Sequence, residues 1–172
     1  MSDWPAYLPI PRQRTVVCPA YDTLIDQGVP ASTAWPTANT AYFFPFRIEQ
    51  SALIVKLWWL NGTNITGNRD AGIYTEDGTR VVSTGSTAAG TASLVKEVDT
   101  TDTMLAPGVY YMALASDSTT GRIARASPGI PECKAMGMAE MASAFALPAT
   151  VTFATIATSY ISVCGYATRV TI

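Results

Sequence analysis

Beyond residue 40, apolar and polar positions alternate along the chain with a period of two, which predicts β-strands. The first strand carries its apolar side chains on one face, at Tyr42, Phe44, Phe46 and Ile48. Pro45 lies on the other face, and because proline donates no ladder hydrogen bond it predicts an edge or bulged strand. Residues 53–60 are apolar on both faces except at Lys56, which predicts a central strand buried on both sides.

Turn signals separate the apolar runs, at intervals of about 8 to 12 residues. Asp77-Gly78 predicts a hairpin, and Asn61-Gly62 predicts a turn with positive φ after the central strand. Residues 132–147 fit either a short helix or an apolar loop, because their Ala, Met and Leu content favours helix whereas Gly137 opposes it. Closing strands are predicted at 151–156, 160–164 and 166–172.

About eight or nine short strands, with no alternation of strand and helix, predict an all-β fold of the sandwich or barrel type. A jelly roll is favoured because the strands are many and a C-terminal strand is available to close the sheets. We therefore predict a β-sandwich domain of jelly-roll topology at residues 41–172.

The first 40 residues have a different composition. Prolines are too dense there for a helix or a central strand, and the segment is too aromatic for an inert disordered tail. We interpret residues 1–40 as an extended Pro-rich arm that docks on the body, on a neighbouring subunit or on both. The alternative is a plain N-terminal strand and loop of the same domain. The candidate interface residues of the arm are Trp4, Tyr7, Arg12, Arg14 and Trp35.

Two adjacent tryptophans, Trp58 and Trp59, point to opposite faces of the predicted central strand. At most one of them faces the core of the sandwich. We expect the other, for which Trp58 is the candidate, under a loop or in an interface. If it is exposed instead, it offers an aromatic platform for stacking a sugar.

The C-terminal region predicts a subunit interface. From Cys133 onward only three residues are charged, where an average chain would carry about ten. Folding of one subunit buries one face of the strands predicted there. Burying the other face requires a neighbouring subunit, and a closed oligomer with cyclic symmetry provides one. Ile156 and Ile161 are the candidate residues of this interface.

Composition and charge exclude several classes of function. The chain has 172 residues, the length of one domain, and its net charge of −2 provides no polycation for nucleic acid or an anionic membrane. The absence of histidine excludes Ser-His-Asp and Cys-His nucleophiles and His-ligated zinc. The main acids show no paired-carboxylate signature and fall mostly at strand ends or turns: Asp70, Glu76, Asp77, Asp99, Asp102 and Asp117. We expect no enzymatic activity.

No metal or cofactor is expected. The three cysteines are far apart and predict buried thiols of a reduced protein: Cys18, Cys133 and Cys164. The loop at 99–102 offers oxygen ligands for calcium but lacks EF-hand spacing. Residues 141–168 carry no charge, yet Pro148, Gly165 and many Ser, Thr and β-branched residues argue against a membrane helix. The N-terminus shows no apolar core of a secretory signal.

Three runs in the middle of the chain have a recognisable combination of strand and turn residues: YFFPFR at 42–47, DAGIYTEDGTR at 70–80 and LAPGVYYMAL at 105–114. With a weaker run at 138–148, they resemble structural proteins encoded by tailed bacteriophages. The resemblance covers roughly residues 39–150 and leaves out the arm. It implies a β-sandwich component of the virion, of the fibre, tail or head-decoration type, and it carries no catalytic residues.

The expected function is that of a non-enzymatic virion protein, a capsid decoration protein that forms a symmetric oligomer, with a trimer favoured, on the major capsid protein. The alternative is a tail or fibre component whose sandwich binds a host-surface glycan, and a cellular lectin-like module is a third. An accessible aromatic groove would favour glycan binding. A buried second tryptophan and an arm running over a partner would favour decoration.

Overall fold

The structure, a computed structural model, describes residues 13–17, 31–126 and 128–169. In these ranges the chain forms antiparallel β-strands and one short helix, which confirms the all-β prediction. Four residues singled out from the sequence lie outside the described residues: Trp4, Tyr7, Arg12 and Cys18.

Most strands are joined by short turns. In chain order they are β1 (Gln13–Val16), β2 (Ala31–Ala34), β3 (Ala41–Ile48), β4 (Ala52–Leu60), β5 (Asn68–Thr75), β6 (Arg80–Ser83), β7 (Thr87–Ala88), β8 (Val95–Leu105), β9 (Gly108–Ser116), β10 (Arg122–Ala126), β11 (Ala139–Met141), β12 (Ala154–Thr155), β13 (Ile161–Ser162) and β14 (Cys164–Arg169). The helix, α1, spans Ile130–Ala135 between β10 and β11.

The described strands form three antiparallel sheets. A four-stranded sheet has the order β1-β14-β4-β8, and a three-stranded sheet has the order β13-β10-β2. A seven-stranded sheet has the order β12-β11-β3-β9-β5-β6, with β7 paired to the start of β5. The central position predicted for residues 53–60 is confirmed, because β4 lies between β14 and β8.

All three sheets contribute side chains to one hydrophobic core. The four-stranded sheet supplies Leu57 and Trp59, and the three-stranded sheet supplies Ile123 and Ile161. From the seven-stranded sheet, the predicted apolar face of β3 points into this core, with Tyr42, Phe44 and Ile48 buried and Phe46 packed against them. The alternation along β3 is therefore confirmed.

β3 is an interior strand at its start and an edge further along. β11 pairs with β3 only at residues 41–43, whereas β9 pairs with it at 41–48. At Pro45, opposite Tyr111, only one side of the strand pairs with a described strand. Proline is tolerated at such a position, which confirms the edge predicted there.

The two turns predicted from Gly-containing dipeptides have different outcomes. The Asp77-Gly78 hairpin joins β5 to β6 as predicted, with Gly78 at φ 86°. The positive φ predicted at Asn61-Gly62 is wrong, because Gly62 does not have one. Glycine is needed there for close packing, since a Cβ would lie 2.5 Å from Ser32 Oγ.

The ambiguous region at 132–147 contains a short helix followed by extended chain. Helix α1 ends at Ala135, and Gly137 takes φ 73° beyond it. Met138 N donates to Cys133 O (3.1 Å) and Gly137 N to Lys134 O (3.0 Å), the two hydrogen bonds of a Schellman motif. Glycine therefore stops the helix, and the chain continues into β11.

The described parts of the N-terminal segment are strands of the same sheets as the rest of the chain. β1 pairs with β14, and β2 pairs with β10. Gly165 makes the first pairing possible, since a Cβ there would lie 2.0 Å from Thr15 O. Val17 is buried in the core, and its N–H donates to Cys164 O (2.8 Å). These strands therefore lie ahead of residue 41 in the sequence but within the body.

A non-strand segment covers the other face of the seven-stranded sheet. We call residues 142–153, which connect β11 to β12, the strap. Its apolar side chains pack in a second cluster on residues of β3, β5, β9 and β11. The buried members are Ala144, Leu147 and Val151 of the strap with Ala41, Phe43, Tyr74, Ala113, Ala115 and Ala139 of the sheet. The seven-stranded sheet is therefore buried on both faces in this region.

Candidate functional site

Trp35, predicted in the arm as an interface residue, lies in the core of the subunit. It is 2% exposed, and its ring centroid lies 5.2 Å from those of both Tyr42 and Tyr160. Its Nε1 donates to Thr40 O (3.0 Å). This corrects the prediction, because a side chain enclosed in this way is not available to a partner.

Trp58 is also enclosed by its own subunit. It is only 4% exposed, packs with Ala124 and Val163, and donates Nε1 to Tyr166 O (3.2 Å). As predicted, Trp59 points to the other face of β4 and into the core. Trp58 is therefore neither an interface residue nor a sugar platform, because Ala124 of β10 and Val163 cover it.

Ile156 and Ile161 are fully buried in the main core. Their assignment to a subunit interface is therefore corrected. The prediction assumed that only a neighbour could cover the second face of the C-terminal strands. The three-stranded sheet supplies that cover within one chain, because β13, which contains Ile161, pairs with β10.

Arg14 is the one predicted interface residue that the structure places on the surface. Its guanidinium reaches across the outer face of the four-stranded sheet and forms an ion pair with Glu97 on β8. The residues of β14 under this path are small, Gly165 and Ala167, which lie opposite Val16 and Arg14. The ion pair thus spans the two inner strands, β14 and β4, and β4 carries Trp58 opposite both Gly165 and Glu97.

Further charges on this outer face also form ion pairs. Lys56 Nζ lies 3.2 Å from Asp99 Oδ1 and 4.0 Å from Glu97 Oε2. Arg169 Nη1 lies 3.9 Å from Asp102 Oδ2. We call this surface the charged face; it comprises Arg14, Lys56, Glu97, Asp99, Asp102 and Arg169.

The charged face is bordered by an edge strand that carries features limiting pairing with another sheet. Among the described strands β8 pairs only with β4, and residues 100–102 bulge between two paired positions. Charges and bulges on an edge strand discourage the addition of further strands. Exposed apolar side chains occur near its ends, with Leu94 58% and Met104 59% exposed.

Asp70 fastens the strap to the sheet. It is fully buried in β5, where its Oδ2 accepts from Leu147 N (3.0 Å) and its Oδ1 accepts from Thr84 Oγ1 (3.1 Å). Burial raises the pKa of this carboxyl, while these hydrogen bonds and nearby Arg80 act in the opposite direction. Arg80 also donates to Leu147 O, so both polar groups of that strap residue are bound. Asp70 thus holds the strap to the sheet through its hydrogen bond with Leu147.

Arg69, the neighbour of Asp70, is the other buried charged residue in the described part of the chain. Its side chain points to the opposite face of β5 and is 0% exposed. Its Nη2 donates to Arg122 O (2.7 Å). Burial lowers the pKa of this guanidinium, and Tyr160 and Asp117 act in the opposite direction. The sequence analysis assigned no site to either buried charge. Two adjacent charged residues inside a largely apolar strand are nevertheless a signal from which buried charges could have been predicted.

The described residues contain no group of three or more Cys, Asp or Glu side chains placed to hold a metal ion. Cys133 and Cys164 are buried. In the described part of the chain, no helix is long and apolar enough to cross a membrane. No known protein family, curated protein or solved structure matches this sequence.

Proposed function

We propose that this chain is a non-enzymatic structural protein of a tailed-bacteriophage virion, a decoration protein that binds the major capsid protein as a symmetric oligomer, with a trimer favoured. The observation that carries the proposal is the burial of Trp58, because the resemblance to virion proteins leaves decoration and glycan binding as the main competitors. With Trp58 enclosed, glycan binding loses its aromatic platform. None of the exposed large apolar residues of the described chain is aromatic, which also counts against sugar stacking.

The proposed fold is a jelly-roll sandwich. β3 pairs with β9 in one sheet, while the segments that follow β3 and precede β9, β4 and β8, pair in another. One antiparallel ribbon of two chain segments therefore passes from sheet to sheet, which is how a jelly roll is built. This pairing supports the jelly-roll topology over a simple meander.

The arm proposed at residues 1–40 is fastened to its own subunit by β1 and β2. The charged face borders β1 and includes Arg14, so we assign the contact with the capsid to the arm and this face. An exposed set of ion pairs suits a polar contact whose affinity falls as salt rises. The interface between copies of the chain is not assigned to Ile156 or Ile161, which are buried in the subunit.

The test is co-sedimentation of the purified protein with undecorated heads of the phage that encodes it. We expect saturable binding that weakens with salt. Deletion of residues 1–12, which leaves every described strand in place, is expected to abolish binding without changing the β-rich circular dichroism. Full occupancy by the truncated protein would contradict the role of the arm, and no binding by the intact protein would contradict decoration.

The oligomer is tested separately by sedimentation velocity. We expect a trimer at micromolar concentration, and a monomer under those conditions would contradict the proposed assembly. A glycan array tests the alternative function. Specific binding to an oligosaccharide, together with failure to bind heads, would favour a tail or fibre component.

A further inference from the structure

Arg69 is a buried cation whose hydrogen-bonding capacity is only partly used. Its side chain is 0% exposed, and of its three nitrogens only Nη2 has a partner, the carbonyl oxygen of Arg122 (2.7 Å). Nε and Nη1 are buried without a hydrogen-bond partner among the described residues. Buried polar groups of native proteins are rarely left in this state, so Arg69 requires an explanation.

Arg69 also lacks an ion-pair partner among the described residues, since none of their ion pairs within 4.0 Å includes it. Asp70 follows it directly but points to the opposite face of the strand and binds the strap. The carboxylate that acts electrostatically on Arg69 is that of Asp117, which lies beyond ion-pair distance and accepts hydrogen bonds at both oxygens from Asn68 (2.8 and 3.2 Å).

Tyr160 and Gly121 border the guanidinium of Arg69. The phenol group of Tyr160 interacts electrostatically with Arg69, and the centroid of its ring lies 4.8 Å from the guanidinium carbon of a second arginine, Arg125. Gly121 faces Arg69, since a Cβ added there would lie 3.4 Å from Nη1. An uncompensated charge in a protein interior costs several times more than an unsatisfied neutral donor. Bridging water would satisfy the donors, but only an anion would also neutralise the charge.

We propose that Arg69 binds a small monovalent anion inside the subunit, with chloride as the ion to test. Nε and Nη1 are the donors that would hold the ion beside Tyr160. The fully enclosed position of the guanidinium favours a single small ion over a larger oxyanion. This site is independent of the proposed role in the virion, and it makes the stability of the subunit depend on chloride.

The test is thermal unfolding of the full chain while sodium chloride replaces sodium gluconate at constant ionic strength. Each tenfold rise in free chloride above its dissociation constant lowers the unfolding equilibrium constant about tenfold. For a domain of this length, that change raises Tm by about 3–5 °C. The matched variants are Arg69→Met, which removes the buried charge, and Arg47→Met, which removes an exposed arginine that forms an ion pair with Glu49.

We expect Tm to rise with chloride in the wild type and in Arg47→Met but not in Arg69→Met. General salt effects act on all three proteins, so the readout is the difference between Arg69→Met and the other two. An equal response in all three would overturn the proposal. Crystals of the wild type grown in bromide give a second measurement that needs no variant. An anomalous peak beside Arg69 Nε and Nη1 is expected, and density for water alone at that place would refute the site.

Discussion

Gly165→Ala tests whether the close approach of β1 to β14 holds the N-terminal strand on the subunit. A Cβ at residue 165 would lie 2.0 Å from Thr15 O and 2.9 Å from Trp58 Cζ2. Contacts of that length do not occur, and the nearer one is with backbone, so β1 must move. Trp58 cannot yield easily because its Nε1 is bonded to Tyr166 O.

The expected loss follows from what β1 contributes. Moving β1 exposes Val17, whose burial is worth about 1.5–3 kcal/mol. It also breaks the hydrogen bond from Val17 N to Cys164 O and at least one ladder bond beside Thr15, each worth about 0.5–1.5 kcal/mol. We therefore expect the free energy of unfolding to fall by about 2.5–6 kcal/mol.

Urea denaturation followed by tryptophan fluorescence measures this loss, and limited proteolysis should show new cleavage near residues 13–17. The matched control is Gly108→Ala. A Cβ there meets its nearest atom, of Tyr110, at an ordinary 3.6 Å, so its unfolding free energy should stay close to that of the wild type. If Gly165→Ala unfolds like Gly108→Ala and gains no cleavage site, the close approach does not hold β1 in place.

Three further predictions concern the buried polar and apolar positions. Because the folded-state pKa of Asp70 is raised, the wild type should lose stability relative to Asp70→Asn as pH rises from about 4 through that pKa. Urea denaturation at several pH values measures the two free energies of unfolding, and a difference between them that stays constant with pH would contradict this prediction. Leu147→Ala should remove the main apolar anchor of the strap and cost about 2–5 kcal/mol in the same assay, whereas Ala146→Gly at an exposed neighbouring position should cost far less. Ile156→Asp should abolish folding as judged by circular dichroism, because it buries a charge in the core of one subunit; folded monomers would instead revive the idea of an interface at this residue.

The sequence alone determined the all-β class and the faces of several strands. Side chains of a strand alternate between two faces, so the pattern from Tyr42 to Ile48 specifies which of them enter the core without any knowledge of the partner strands. The Asp77-Gly78 hairpin was readable for a similar reason, since positive φ is a local requirement that few residues satisfy. Residues 53–60, apolar on both faces, indicated a central strand in the same way.

What covers each apolar face was decided only by the tertiary structure. The sequence led us to assign an interface to Trp58, Ile156 and Ile161, because a sandwich of two sheets leaves its outer faces uncovered. In the structure a third sheet and the strap cover such faces within one chain. That sheet joins β2, β10 and β13, short strands far apart in the sequence, so no local pattern reveals it. The same holds for the ion pair of Arg14 with Glu97, 83 residues away, and for the burial of Arg69 and Asp70 on opposite faces of one strand. Alternation is a property of the strand itself, whereas burial depends on the elements that pack against it.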